Sequence, residues 1–124
     1  MLAGTAFQKY GQELDKHQQI LLGLSDMMIE VYFAESTLLR TIKNINRGLD
    51  MTNQTDMAKL CVFEATETVI RKSKETIGNF AEGEAQTSLL KSVHSLCRYK
   101  NLPDVIGLKN RIAEKVISEN KYCF

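Results

Sequence analysis

The sequence has little material for sharp turns, metal sites or membrane spans. One proline and seven glycines among 124 residues favour few, long elements of secondary structure. The three cysteines, Cys61, Cys97 and Cys123, include no CxxC pair, which excludes zinc-knuckle and thioredoxin-like motifs and predicts free, mostly buried thiols. No uncharged apolar run approaches the roughly 20 residues that cross a bilayer, and the first residues lack the basic and apolar segments of a secretory signal. We therefore expect a protein of the cytoplasm or an equivalent reducing compartment.

Charge and composition are those of a nearly neutral, folded domain. The chain has 16 lysines and arginines against 15 aspartates and glutamates, a net charge of +1. Because neutralised phosphates supply most of the affinity for nucleic acid, we expect no nucleic-acid partner. An apolar fraction of 44% with a charged fraction of 25% argues against disorder and allows a core without disulfides or metal. The length fits one domain over residues 1–124.

Apolar residues recur at steps of three and four, which is the spacing of one helix face. A first stripe runs through Phe7, Tyr10 and Leu14 and continues toward a second, stronger one. The second stripe predicts a helix over about residues 16–47, ending at Gly48 in the left-handed conformation that often terminates helices. Its apolar positions are Leu24, Met28, Val31, Leu38, Ile42 and Ile45.

The second half of the chain predicts a second long helix and two shorter ones. Side-chain oxygens over residues 52–55 supply N-caps for a helix that fades between Gly78 and Gly83. A shorter helix follows to about Cys97, and Pro103 fits the first turn of the last helix, where its missing N–H costs nothing. No alternation of apolar and polar residues indicates a strand. The predicted fold class is all-α, an antiparallel helical bundle of two long and two or three shorter helices.

The chain offers no constellation for catalysis, cofactor binding or metal binding. His17 and His94 are isolated, and neither has the glutamate three residues earlier that a di-iron bundle requires. Residues 78–83 have the glycine spacing of a P-loop but are followed by Glu-Ala rather than Lys-Ser or Lys-Thr. His94 lies three residues before Cys97, yet the apolar stripe around Cys97 favours packing over a Cys–His nucleophile. We expect no catalytic, cofactor-binding or metal-ligating residue in this chain.

Two carboxylates, Glu35 and Glu64, lie on apolar stripes of the two long helices. A buried carboxylate can act as a general base with a raised pKa, or it can pair with a cation or hydroxyl across a helix interface. Pairing is the interpretation that we favour in a helical bundle. The candidate partners are Lys72, Arg40, Thr66 and Thr68.

The last third of the sequence is basic. Between residues 91 and 115, six lysines and arginines stand against Asp104 and Glu114. Such a surface can bind anionic lipid or the phosphates of a nucleotide-bearing ligand. The charges do not share one helical stripe, however, which favours a solvated face. The positions are Lys91, His94, Arg98, Lys100, Lys109, Arg111 and Lys115.

Two segments carry a family resemblance. Residues 26–40 read DMMIEVYFAESTLLR, and residues 57–65 read MAKLCVFEA. The first segment resembles a helix of the extra C-terminal domain of the long acyl-CoA dehydrogenases, those similar to the very-long-chain enzyme. The second is similar to the following helix of that domain. The order of long helix, loop, long helix and two short helices also fits, so the resemblance covers most of the chain.

The resemblance implies a part of a flavoprotein oxidoreductase rather than a complete enzyme. The relatives use FAD to dehydrogenate acyl-CoA thioesters in fatty-acid β-oxidation, with a glutamate base, and that chemistry belongs to an upstream catalytic core. No catalytic or flavin-contacting residue carries over to this chain, and neither Glu35 nor Glu64 is that base. The helical pattern is already running by Phe7, so we expect a C-terminal fragment of a longer flavoenzyme. Its partners would be its own catalytic core and a second copy in a homodimer, with weak contact to a membrane surface.

A free-standing helical adaptor that self-associates or binds a partner helix is the alternative. A small independent enzyme has no constellation to support it. The long helix is apolar in directions other than its main stripe, and two short helices do not cover it on all sides. For the isolated chain we therefore predict a two-fold homodimer. The additional apolar positions are Leu21, Met27, Ile29, Tyr32, Phe33 and Leu39.

Overall fold

The computed structural model describes residues 1–124 and shows a chain that is mostly helical, with no strand. The predicted all-α class, with two long helices and a few shorter ones, is confirmed. None of the helices combines the length and apolar character that crossing a membrane requires. The elements are α1 Leu2–Tyr10, a 3-10 helix Gly11–Lys16, α2 Gln18–Asn46, α3 Thr52–Phe80, α4 Gly83–Leu96 and α5 Val105–Glu119.

The first stripe of the sequence belongs to a separate short helix. Gly11 has φ 54° and ψ −128°, a conformation that side chains disfavour, and it ends α1 before the 3-10 turn. The small residue Ala6 is buried together with Leu2, whereas Phe7 is 60% exposed. The predicted stripe is therefore wrong at Phe7, because periodicity of large side chains does not detect a face built around alanine. Its other members, Tyr10 and Leu14, are partly buried against the core.

A Schellman motif ends α2, as the glycine in the sequence predicts. Gly48 has φ 77°, and its N–H donates to the carbonyl of Ile45 at 2.8 Å. The N–H of Leu49 donates to the carbonyl of Asn44 at 3.2 Å. These two bonds satisfy carbonyls that the helix end would otherwise leave free.

The start of α3 differs from the prediction. The helix already begins at Thr52, so residues 52–55 lie inside it rather than before it. The capping oxygen comes from Asp50, which accepts hydrogen bonds from the Thr52 N–H at 3.1 Å and from the Thr52 hydroxyl at 2.7 Å. These bonds lower the pKa of Asp50.

The last helix also begins later than expected. Pro103 precedes the cap rather than lying in the first turn, and Asp104 is the N-cap of α5. The Asp104 carboxylate accepts a hydrogen bond from the Gly107 N–H at 2.9 Å, and a Cβ at Gly107 would overlap that carboxylate. The predicted fade between residues 78 and 83 is confirmed, since α3 ends at Phe80 and Gly83, with φ 59°, opens α4.

The chain divides into two compact units, each of which takes part of α2 and α3. The first unit is Met1–Val31 with Thr66–Tyr99. Its core closes around the fully buried Ile77, and the Ser73 hydroxyl donates to the Met27 sulfur at 3.2 Å. The core residues are Leu2, Ala6, Ile20, Leu24, Met27, Ile77, Phe80, Ala81 and Val93.

The second unit is Tyr32–Ala65 with Lys100–Phe124. Its buried apolar residues are Ala58, Ala65 and Leu108, a smaller set than in the first unit. Its buried polar residues are Thr41 and Asp56.

The main stripe predicted for α2 is mostly exposed. Only Leu24 of that stripe is buried; Met28 is 70% exposed and Val31 54% exposed. The inward positions are Ile20, Leu24 and Met27 in the first unit and Thr41 in the second. Because α2 is apolar around much of its circumference, periodicity alone could not select the buried face.

Candidate functional site

The two carboxylates predicted to be buried are both exposed. Glu64 pairs with Lys109 of α5 at 3.3 Å, with more than half of each side chain exposed. Glu64 thus pairs with a cation, but that cation is Lys109, which was not among the predicted partners. Periodicity placed these carboxylates on the wrong side of their helices, and neither has the burial expected of a general base.

Lys72 serves a different contact, in the first unit. Its ammonium lies 3.2 Å from Asp26 and 3.8 Å from Glu75. The three side chains line a groove of about 300 Å³ beside α2 and α3. Two carboxylates against one cation make this groove unsuited to an anionic ligand.

The histidines and cysteines form no reactive pair. His17 stacks on Tyr10 with ring centroids 3.8 Å apart, and His94 is exposed. Cys97 packs against the first-unit core, and burial together with the nearby Glu67 carboxylate raises its pKa. A nucleophilic cysteine needs a lowered pKa, so packing is the role that the surroundings of Cys97 support. No three His, Cys, Asp or Glu side chains come together as a metal site.

A second raised pKa in the first unit belongs to Tyr99. Burial and a hydrogen bond donated by its hydroxyl to Glu67 at 2.8 Å raise the pKa of Tyr99 to about 12. The tyrosine thus stays protonated and holds the segment that follows α4 against α3.

The cations of α5 are largely neutralised within the second unit. Lys109 pairs with Glu64, and Lys115 pairs with Glu119 at 2.8 Å. Arg111 forms a bidentate pair with Asp56, the most buried carboxylate of the unit. These pairs favour the solvated-face interpretation of this basic segment over a lipid-binding or phosphate-binding one.

Sequence reasoning missed a groove in the second unit, which we call the aromatic groove. It has a volume of about 720 Å³. The only signal in the sequence was the presence of aromatic residues both in α2 and near residue 122. Helical periodicity cannot show that two such distant segments meet. Its walls include Tyr32, Phe33, Arg40, Asn44, Gln54 and Tyr122.

The second unit also presents an exposed apolar face on α2, which we call the outer face: Leu38, Leu39, Ile42 and Ile45. Leu39, at one edge of this face, is 57% exposed. Steps of four and three between Leu38, Ile42 and Ile45 match the seam of a helix that packs on another helix. This face and the residues that line the aromatic groove occupy the same turns of α2 but lie on different sides of the helix.

Three comparisons identify the family. The family described as acyl-CoA dehydrogenase, C-terminal domain, matches residues 1–95. A protein named "Probable acyl-CoA dehydrogenase" from Bacillus subtilis (strain 168) is 32% identical over 122 residues, which are 97% of this chain and 20% of that protein. The crystal structure of an acyl-CoA dehydrogenase complexed with FAD from Bacillus anthracis matches with a TM-score of 0.93 and 34% identity, over 100% of this chain and 22% of that one.

The chain belongs to the acyl-CoA dehydrogenase C-terminal domain family, which confirms the resemblance seen in the sequence. It spans about a fifth of the length of the curated relative and the solved structure that it matches.

Neither groove of this chain fits FAD. The first-unit groove is lined by two carboxylates, Asp26 and Glu75, against one cation, which disfavours a pyrophosphate. The aromatic groove offers one cation, Arg40, for two phosphates, and no glycine lines it. No flavin chemistry is assigned to residues of this chain.

Proposed function

We propose that this chain is the accessory C-terminal helical domain of a FAD-dependent acyl-CoA dehydrogenase of fatty-acid β-oxidation in the cytoplasm. In this proposal it packs on the catalytic core of its parent enzyme and supports the dimer, and it carries no chemistry itself. Family membership supports the parent class, and the short span relative to the matched proteins supports an accessory role. The same membership favours this proposal over a free-standing adaptor.

The outer face of α2 is the observation that carries the packing role. Covering one leucine or isoleucine side chain is worth about 1.5–3 kcal/mol, so leaving several together in water is costly. Contiguous exposed apolar residues of this kind mark interaction surfaces. For identical chains the commonest solution is a closed two-fold arrangement. The isolated chain should therefore use this face to self-associate.

Sedimentation equilibrium of the 124-residue chain tests the dimer. The expected wild-type mass is twice the 14.1 kDa of one chain. The double substitution Leu39→Lys with Ile42→Lys should give a monomer with an unchanged helical circular dichroism spectrum, because two charges cannot be covered by an apolar partner.

A control places a single lysine elsewhere in the unit. Asn110→Lys lies at an exposed position of α5 and should leave the dimer intact. A monomeric wild type, or equal loss of the dimer in the control, would contradict a dimer formed through the outer face.

A further inference from the structure

The aromatic groove has the volume of a small-molecule site. Its volume of about 720 Å³ lies within the 300–1,000 Å³ typical of such sites. It is formed by the second half of α2, the start of α3 and the residues after α5. All these residues belong to the second unit, so one compact body builds the whole groove.

Aromatic rings stand at two sides of the groove. Tyr32 and Phe33 of α2 meet edge to face, with ring centroids 6.1 Å apart. Tyr122 and Phe124 do the same at 6.2 Å. Since edge-to-face pairs leave ring faces open and the tyrosines are exposed, both sides can stack on a flat ligand.

Arg40 supplies the positive charge. It is the only charged side chain that lines the groove, and no carboxylate of the second unit pairs with it. Arg111 of the same unit, by contrast, is engaged with Asp56 through two hydrogen bonds. A guanidinium without an internal partner is suited to hold a phosphate through two hydrogen bonds.

Two amides complete the set. Asn44 of α2 and Gln54 of α3 are half-buried and line the groove from two helices. Side-chain amides of this kind pair with the donor and acceptor edge of adenine. Ser36 and Thr37 add hydroxyls on the same turns of α2 as Arg40.

We propose that the aromatic groove binds a purine mononucleotide. The base stacks on the aromatic side chains, the amides contact its edge, and Arg40 holds the phosphate. This inference does not depend on the proposed function. Phe33, Arg40 and Asn44 share a face of α2 that is separate from the outer face, so a dimer formed through the outer face leaves the groove open.

Isothermal titration of the 124-residue chain with adenosine monophosphate tests the site, with adenosine and ribose 5-phosphate as partial ligands. Adenosine monophosphate should bind saturably with a Kd below about 1 mM. Each partial ligand should bind at least about tenfold more weakly, because it lacks either the ring or the charge.

Arg40→Gln should weaken the binding of adenosine monophosphate about tenfold or more and leave the affinity for adenosine unchanged. The matched control Arg47→Gln removes an exposed arginine just beyond α2, outside the groove, and should change neither. Tyr122→Ala should weaken the binding of both ligands, since both carry the base.

Three results would overturn the proposal. The first is the absence of saturable binding up to about 10 mM by a chain that is folded by circular dichroism. The second is equal affinity for adenosine and adenosine monophosphate. The third is an equal effect of the Arg40 and Arg47 substitutions. A chain that fails to dimerise but binds the nucleotide would contradict only the dimer formed through the outer face.

Discussion

Arg111 holds Asp56 through two hydrogen bonds, from Nε to Oδ2 at 2.8 Å and from Nη2 to Oδ1 at 3.0 Å. The pair ties α5 to the second turn of α3. The Asp56 side chain is only 11% exposed, so its charge depends on the guanidinium for solvation. Such a contact determines which turn of α5 lies against α3. The few buried apolar residues of this unit determine that alignment less strictly.

Arg111→Gln should lower the melting temperature by several degrees, because it leaves a buried carboxylate without its cation. The double substitution with Asp56→Asn should be less destabilising than the sum of the two single changes, since neither charge then remains unpaired. Thermal unfolding by circular dichroism measures both. Lys109→Gln is the control: it breaks the exposed Glu64 pair and should shift the melting temperature very little. Equal shifts in melting temperature for the Arg111 and Lys109 substitutions would contradict the claim that the burial of Asp56 makes its ion pair important.

The Asp56–Arg111 pair should also make the free energy of unfolding depend on pH in the acidic range. The hydrogen bonds of Arg111 lower the pKa of Asp56 in the folded chain. Its stabilising contribution is therefore complete above the unfolded carboxyl pKa of about 4 and is lost as the pH falls through the lower folded value. Urea unfolding between pH 7 and pH 2 should show the gap between wild type and Asp56→Asn shrinking only below about pH 4. A gap that stays constant over this range would refute the linkage.

Gly23 marks a close approach of α2 to α3 in the first unit. A Cβ at this position would lie 2.9 Å from the Thr76 hydroxyl oxygen. Gly23→Ala should cost about 1–3 kcal/mol in the free energy of unfolding, and adding Thr76→Ala should restore part of it. Gly78→Ala is the matched control in α3, where a Cβ meets nothing within 4 Å. That change should be neutral or stabilise by about 0.5–1 kcal/mol. Equal effects at the two glycines would contradict the close approach.

The chain alone should neither hold flavin nor oxidise acyl-CoA. The grooves do not fit a flavin dinucleotide, and the exposed Glu35 and Glu64 lack the burial of a general base. After incubation with FAD and desalting, the visible spectrum should show far less than one flavin per chain. Acyl-CoA-dependent dye reduction should match the rate without protein. Stoichiometric flavin or substrate-dependent reduction would overturn the accessory role.

Helix type and several helix ends follow from local residues, and the sequence predicted them. The C-terminus of α2 is the clearest case, because a glycine at position 48 readily adopts the positive φ that the Schellman motif requires. The break at Gly11 escaped prediction, since the surrounding residues continue a helical pattern. Asp50 was missed as a cap because residues 52–55 offered equally suitable oxygens.

The candidate sites depend on contacts between distant residues, and these were not predictable. Glu64 meets Lys109, and Asp56 meets Arg111, across intervals that periodicity does not connect. The aromatic groove needs Tyr122 beside Tyr32, which only the folded second unit provides. The prediction of the buried face of α2 failed for another reason. A helix that is apolar in several directions has no unique inward stripe.

The backbone at Gly11 and Gly48 implies different mutational tolerance at two positions with the same residue. Gly48 lies in the left-handed region, which asparagine also enters, so an asparagine there should be accepted. Gly11, with φ 54° and ψ −128°, is close to the mirror image of extended backbone, where a Cβ is disfavoured. Saturation mutagenesis of the domain would then retain glycine alone at position 11, and glycine with asparagine at position 48.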